Sequence, residues 1–206
     1  NQDSTGRSTI VVDPEYGIDD IGIPESIAFK VYAPYIQRRL RMSGMSDIEA
    51  LKHTRDRDEH AKRALEKEME VRPVVYSRAP AWHKFSVLAA KPKLISDGNA
   101  IAINPFVTTG LGADFDGDTI NVHVPASPAA VKEAKEKLMP STFPFSNRDQ
   151  DKLVPLPKQE QILGLYTAAT APKTAPIDFP SEQAAITAIK SGQIPLSADI
   201  TINGKG

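Results

Sequence analysis

A chain of 206 residues with 40% hydrophobic and 25% charged residues has enough apolar side chain for a core and too much for wholesale disorder. Its formal net charge of −1 removes any global pull on a polyanion, so binding of that kind has to come from local clusters or from a partner. No apolar run reaches the roughly 20 residues of a membrane-crossing helix, and the absence of cysteine removes disulfides and thiolate metal sites together, which suits a reducing, intracellular setting.

The first residue is Asn and the strand-like "GRSTIVV" begins almost at once, so a fragment of something longer is expected. Arg7 to Val12 is β-branched enough for a strand, and "DPEYGIDDIGIP" after it is dense in Pro, Gly and Asp and reads as turns. A helix is expected from Pro24, with Ile27, Phe29, Val31, Tyr32, Tyr35 and Ile36 at helical spacing, ending in the basic run "RRLR" near Gly44. Ser46 caps a second helix, with Asp47 and Glu49 in its first turn, expected to run to about Glu70. Its middle, "KHTRDRDEHAKRALEKE", reads as a solvated face laced with (i, i+4) pairs rather than a binding site.

From Pro73 short strands take over: "RPVVYS", "FSVLAAKPKLI", "AIAINPFVT" and "TINVHVP", with "DGN" as a tight turn between two of them. This texture predicts a compact antiparallel or mixed barrel. Ser127 and Pro128 open a helix over "AAVKEAKEKLM", closed by Pro140. The proline-rich "PSTFPFSNRDQDKLVPLPKQEQ" reads as irregular, and the apolar "ILGLYTAAT" as buried. A short helix capped by Ser181 over Glu182 to Lys190 and a strand around "ADITING" complete the chain, and no internal repeat is visible.

The chemistry concentrates in "LGADFDGDTINVHVP", Leu111 to Pro125, where Asp114, Asp116 and Asp118 alternate around Gly117. On an ideal strand the outer two would stand about 13 Å apart at roughly 3.3 Å per residue, too far for one ion. Gly117 allows the backbone to curl, and then all three carboxylates can share a cation that relieves their mutual repulsion. An all-oxygen donor set with no adjacent His or Cys favours Mg²⁺ or Mn²⁺ over Zn²⁺. The competing reading of a lone "DGD" is an Asp and Gly turn that ends a strand. A calcium EF-hand loop is excluded, because counting from Asp114 it needs Gly sixth and Glu twelfth, where this chain has Thr119 and Pro125. Taken singly, Arg78 reads as a surface ion-pair residue, and His83 and His123 as structural histidines.

"ADFDGD" followed by "HVP" resembles the signature of the largest catalytic subunit of multisubunit DNA-dependent RNA polymerases, called beta-prime in bacteria. "GRSTIVV", "GIPESIAFKVYAPYIQRRL", "SRAPAWHK", "GNAIAINPFV" and "VPLPKQEQILGLYTAAT" are similar to further blocks of that family in the same order, and "EQAAITAIKSGQI" more faintly. The resemblance covers roughly residues 6 to 172. It implies a mixed α+β fold, a double-psi β-barrel with inserted and appended helices. Residues 1–172 would be the catalytic barrel region, with a helical insertion at about 24–70, and residues 173–206 a helix and strand that start the following region.

The same resemblance implies a catalytic role for Asp114, Asp116 and Asp118 as ligands of Mg²⁺, a substrate-binding role for Arg78 at the ribose hydroxyls of the incoming nucleotide, and a nucleic-acid-binding role for Arg7 against the template strand or RNA–DNA hybrid. The implied activity is DNA-directed nucleotidyl transfer from nucleoside triphosphates to the RNA 3′ end. It requires the second-largest, beta-type subunit and the remaining polymerase subunits, in the cytoplasm of a bacterial or phage-infected cell or on its nucleoid, with no membrane. No segment is similar to the family's bridge helix or trigger loop, so the chain is expected to be a piece or one product of a split gene. Two alternatives are a non-catalytic assembly module built on the same barrel and an RNA-templated RNA polymerase of the related barrel family. The complete aspartate set favours an enzyme, and "SRAPAWHK" and "LGLYTAAT" favour the DNA-templated branch. The chain departs from the family pattern at Gly112, where the family has an Asn whose amide lies near the nucleotide sugar, and at Ser77 for Asn, Trp82 for Leu and Lys84 for Arg. These departures fit a divergent member, such as one from a large virus or phage.

Overall fold

The computed structural model describes residues 5–81, 84–142, 159–170, 177–194, 198 and 200–202, which fall into two compact units, Asn1–Leu156 and Pro157–Gly206. In the first unit six strands close into a barrel: β1 (Thr5–Val12), β2 (Asp20–Pro24), β3 (Val74–Ser77), β4 (Val87–Ile95), β5 (Ile101–Ile103) and β6 (Thr119–His123), in the order β1-β5-β2-β4-β3-β6. β1 runs parallel to β5 and β2 parallel to β4; the remaining four pairings are antiparallel. Exchanging β1 with β4, β2 with β5 and β3 with β6 maps every pairing, with its direction, onto another. The mixed barrel is therefore two three-strand halves related by a pseudo-two-fold, the double-psi arrangement, although the sequence carries no readable repeat.

Alternation explains which side chains fill it. Ile120 and Val122 of β6 and Ile10 of β1 point inward and are buried, while Thr119, Asn121 and Arg7 lie on the other face. The turn reading of "DPEYGIDDIGIP" is corrected here, because its last five residues form β2, with Ile21 and Ile23 wholly buried between β4 and β5. Glycine weakens a strand in isolation. At Gly22 it is required, since a Cβ there would lie 2.6 Å from the Ile95 Cδ1 and the Tyr16 hydroxyl. Tertiary packing overrides local propensity at that position.

Pro24 ends β2 and leads into α1 (Glu25–Met42), which buries Phe29, Val31, Tyr32, Ile36 and Leu40 against the barrel and its neighbours. The expected second helix is two. α2 (Asp47–Asp56) starts in a full capping box between Ser46 and Glu49, then stops at Arg57 in the left-handed conformation, φ 51° and ψ 38°. Asp58 then accepts the Ala61 N–H at 3.1 Å and starts α3 (Glu59–Val71). An aspartate that can cap offers the backbone a bond the continuous helix would deny it, so the chain breaks there.

The charged face is also less solvated than its composition suggests. Glu68 is 8% exposed and takes Arg39 of α1 at 2.7 Å and Arg72 at 3.1 Å. Arg72 in turn donates to the carbonyls of Pro125 and Ala126 and stacks over Tyr35, 4.3 Å from its ring centre. This cluster ties α1, α3 and the exit of β6 together. Arg63 and Glu59 do form the expected (i, i+4) surface pair.

α5 (Pro128–Glu133) is capped by Ser127 and continues as a π-helical segment, Ala134–Leu138, whose Ala134 packs with Met139 against Val75 and Ala89 on the outside of the barrel. The single helical turn α4 (Thr108–Leu111) lies between β5 and β6. The second unit contains α6 (Gln159–Thr170), β7 (Ile177–Phe179), α7 (Glu182–Lys190) capped by Ser181, and β8 (Ile200–Ile202), which pairs in parallel with β7. "ILGLYTAAT" was expected to be buried, and this is corrected. It forms most of α6, with Ile162, Leu163, Leu165 and Tyr166 between 53% and 65% exposed. Apolar content buries a segment only where a facing element exists, and among the described residues the second unit offers α7 and two three-residue strands. The proline-rich run from Phe143 to Lys158, and Trp82 and His83, lie outside the described residues. No described helix is long and apolar enough to cross a membrane.

Candidate functional site

The approach to the aspartates is built from backbone. Asn104 accepts the Phe106 N–H at 2.9 Å and starts a 3₁₀ turn, Pro105–Val107, which passes into the single helical turn α4 (Thr108–Leu111). Gly112 closes α4 in the left-handed region, φ 61° and ψ 32°, and Ala113 donates back to the Thr108 carbonyl at 3.0 Å. This is the ordinary glycine end of a helix, where the absence of Cβ removes the steric cost. The loop that follows is pinned at three places. Ala113 is buried, Phe115 packs partly against the core, and the Asp118 carbonyl accepts the Ile10 N–H at 2.9 Å as β6 joins β1. Between those anchors Gly117 takes φ 113° and the chain curls as its sequence requires.

Asp118 and Arg78 meet across 40 residues of sequence. The Arg78 Nε donates to Asp118 Oδ2 at 2.8 Å and Nη2 to Oδ1 at 3.2 Å, a two-pronged fork between side chains 28% and 21% exposed. The Asp118 Oδ2 also accepts the Asp114 N–H at 2.9 Å, so one carboxylate holds both the arginine and the start of the loop. Asp114 is exposed and its Oδ1 accepts the Phe115 N–H at 3.0 Å; Asp116 is exposed at the tip. Arg7, on the neighbouring strand, donates from Nε to the Thr119 hydroxyl at 3.0 Å. In register, Arg7 stands beside Asn121, and Asn121 beside Ser77, the residue before Arg78. The aspartate loop, Arg78 and Arg7 therefore share one end of three adjacent strands, β1, β6 and β3.

Donor chemistry fits a hard divalent cation, since three carboxylates stand within five residues and two are exposed. Among the described residues, no group of three His, Cys, Asp or Glu is gathered closely enough to hold an ion. Asp118 is turned toward Arg78 instead, and a shared ion needs Asp114 and Asp116 to swing toward it. Thr119 and Asn121 were missed as part of this cluster. The alternation of "TINVH" puts both on the outward face with His123, and that signal was available in the sequence. His123 sits at the last position of β6, away from the aspartates in register.

The comparisons with known proteins bear on the same region. Residues 33–140 match the family model described as RNA polymerase Rpb1, domain 2, a span that holds β3 to β6, Arg78 and the whole aspartate loop. The chain belongs to the family of RNA polymerase largest subunits. It is 36% identical over 209 residues to the DNA-directed RNA polymerase subunit beta' of Chlorobium phaeobacteroides (strain DSM 266), covering 99% of this chain and 14% of that protein. The beta' subunit of Acholeplasma laidlawii is 39% identical over 165 residues, 80% of this chain and 12% of its own length, and that of a Sulfurihydrogenibium species is 37% identical over 210 residues, 98% and 13%. This largest-subunit chain thus spans about an eighth of the length of the curated relatives it matches. The similarity to the Chlorobium and Sulfurihydrogenibium subunits extends beyond the barrel into the second unit, so α6 and α7 belong to the same family resemblance as the aspartate loop.

Proposed function

We propose that this chain is the catalytic-barrel part of a DNA-directed RNA polymerase, acting with the second-largest subunit and the remaining polymerase subunits on a DNA template, an RNA–DNA hybrid and nucleoside triphosphates. The observation that carries the reading is the aspartate loop itself: three carboxylates around Gly117, anchored on a closed barrel of the largest-subunit family, with Arg78 forked onto the third.

Asp114, Asp116 and Asp118 would hold Mg²⁺, which when bound lowers the pKa of the RNA 3′-hydroxyl and neutralises charge at the α-phosphate. Arg78 uses two of its five N–H donors on Asp118, which orients the guanidinium plane and leaves the others for the ribose hydroxyls of an incoming nucleotide. Among the described residues Arg7 gives only Nε, to Thr119, so its terminal nitrogens would be available to a phosphate of the template or hybrid, a positioning contact without base readout.

In a polymerase assembled with this chain, alanine at Asp114 or Asp116 is expected to end Mg²⁺-dependent primer extension on a DNA template. Near-normal extension would overturn the assignment, and extension on RNA but not DNA templates would move it to the RNA-templated branch.

Gly112 gives a second, gentler test. Its φ of 61° is where Asn is best tolerated after Gly, and an added Cβ meets nothing within 4 Å. Gly112→Asn is therefore expected to fold with a cost of about 1 kcal/mol or less. It should raise the ratio of kcat/KM for ribonucleoside over deoxyribonucleoside triphosphates. An unchanged ratio would show that an amide at this position does not sense the sugar.

A further inference from the structure

Asn104 makes two bonds with one short side chain. Its Oδ1 accepts the Phe106 N–H at 2.9 Å and starts the 3₁₀ turn, while its Nδ2 donates to the Tyr16 carbonyl at 2.6 Å. The residue is only 7% exposed. The first bond is a local cap of the kind that Ser, Thr or Asp supplies equally well. The second spans 88 residues of sequence and uses the amide donor that none of those three carries.

The Tyr16 carbonyl is a fixed post. Before it, the Asp13 N–H donates to the Ile103 carbonyl at 3.1 Å. After it, Asp20 Oδ2 takes the Gly17 N–H at 3.2 Å and the Lys93 ammonium at 2.8 Å, and that ammonium stands 5.4 Å from the centre of the Tyr16 ring. The ring itself covers Gly22 of β2, so closely that a Cβ there would lie 2.6 Å from its hydroxyl.

From Asn104 the bonds run on toward the aspartates. Thr108, 1% exposed, donates its hydroxyl to the Pro105 carbonyl at 2.7 Å, and its own carbonyl accepts the Ala113 N–H at 3.0 Å, one residue before Asp114. The other end of the loop is tied differently, through the Asp118 carbonyl to Ile10 of β1. Asp118 is thus referenced to β1, and the chain entering Asp114 is referenced through Asn104 to Tyr16.

We propose that Asn104 is a positioning residue for nucleotidyl transfer: by tying the 3₁₀ turn to the Tyr16 carbonyl it sets where Asp114 stands relative to Asp118, a role that rests on the polymerase reading above. It acts through the backbone and not on the substrate. Catalysis by converging carboxylates is sensitive to displacements of this kind, since about 1 Å of misplacement costs up to about 100-fold in rate.

The test compares Asn104→Ser with the native residue in the assembled polymerase. Serine keeps a cap acceptor, brings no charge and loses the amide that reaches Tyr16. The expected result is a fall in kcat of about 10-fold with the KM for the nucleotide unchanged, and a higher Mg²⁺ concentration for half-maximal extension. The second readout is amide hydrogen exchange without Mg²⁺: peptides over residues 105–116 should exchange about 10-fold faster, while those over β2 and β4 keep native rates. Asn104→Asp guards against simple misfolding. It keeps the acceptor, and its carboxyl donates to the Tyr16 carbonyl only when protonated, so the ratio of its kcat to the native value should climb as pH falls from about 8 to about 6. Native kcat, Mg²⁺ requirement and loop exchange in Asn104→Ser, with only the melting temperature lowered, overturn the proposal, as does a pH-independent ratio for Asn104→Asp. The exchange readout involves no catalysis and holds even where Asp116→Ala leaves extension intact, so this inference and the catalytic reading fail separately.

Discussion

Asp118→Ala in the assembled polymerase is expected to lower Mg²⁺-dependent extension on the order of 10³-fold or more, and to do so by a route that Asp116→Ala does not share. Both changes remove a proposed ligand. Only Asp118 also holds Arg78 in a fork at 2.8 and 3.2 Å and accepts the Asp114 N–H at 2.9 Å. Its removal frees the guanidinium that would meet the ribose and loosens the first residue of the loop at the same time. The pair is partly exposed, so its contribution to folding is small, about 1 kcal/mol at most after solvent screening. A double-mutant cycle separates the roles. If the fork positions Arg78, then Arg78→Ala should raise KM for the nucleotide in the native background and change little in Asp118→Ala. Full additivity of the two changes would show that the fork is incidental.

The second large effect concerns folding. Glu68→Ala is expected to destabilise the chain by about 3 kcal/mol, because it strands the largely buried Arg72, while Arg39, 36% exposed at its side chain, can turn to water. For a chain of this size that corresponds to a fall in melting temperature on the order of 10 °C, measurable by calorimetry or circular dichroism. Arg72 is only 14% exposed at its side chain and keeps its bonds to the Pro125 and Ala126 carbonyls, so the uncompensated charge has no easy path to water. Replacing Glu68, Arg39 and Arg72 together by apolar residues of similar volume should recover most of the loss, since a buried ion cluster contributes little net stability over well-packed apolar side chains. A small loss in Glu68→Ala would mean that water reaches the cluster.

These two sites differ in how far the sequence exposes them. The aspartate loop is legible because its donors lie within five residues, and the capping serines at 46, 127 and 181 are legible because a cap is a local bond. Glu68 is not legible: within "KHTRDRDEHAKRALEKE" it looks like any solvated acid, and the partner that buries it comes from a different helix. β2 was hidden for the same reason, since Gly22 and Pro24 argue locally for a turn and only the flanking strands make them a strand. Arg78 is instructive in both directions. Read alone it is an ion-pair residue, and it is in an ion pair; the resemblance implies a place beside the aspartate loop, and its partner is one of the loop's aspartates. That pairing spans 40 residues and that of Arg7 with Thr119 spans 112, distances no spacing rule can bridge.

The exchange symmetry of the barrel assigns corresponding positions to its connections as well as its strands. The stretch from β2 to β3, residues 25–73, is the counterpart of the stretch from β5 to β6, residues 104–118. One half uses that link for three helices, the other for a 3₁₀ turn, the single turn α4 and the aspartate loop. The architecture thereby provides a compartment that can lengthen or change its surface without moving any carboxylate of the aspartate loop. The proposed metal ligands all stand on the shorter link.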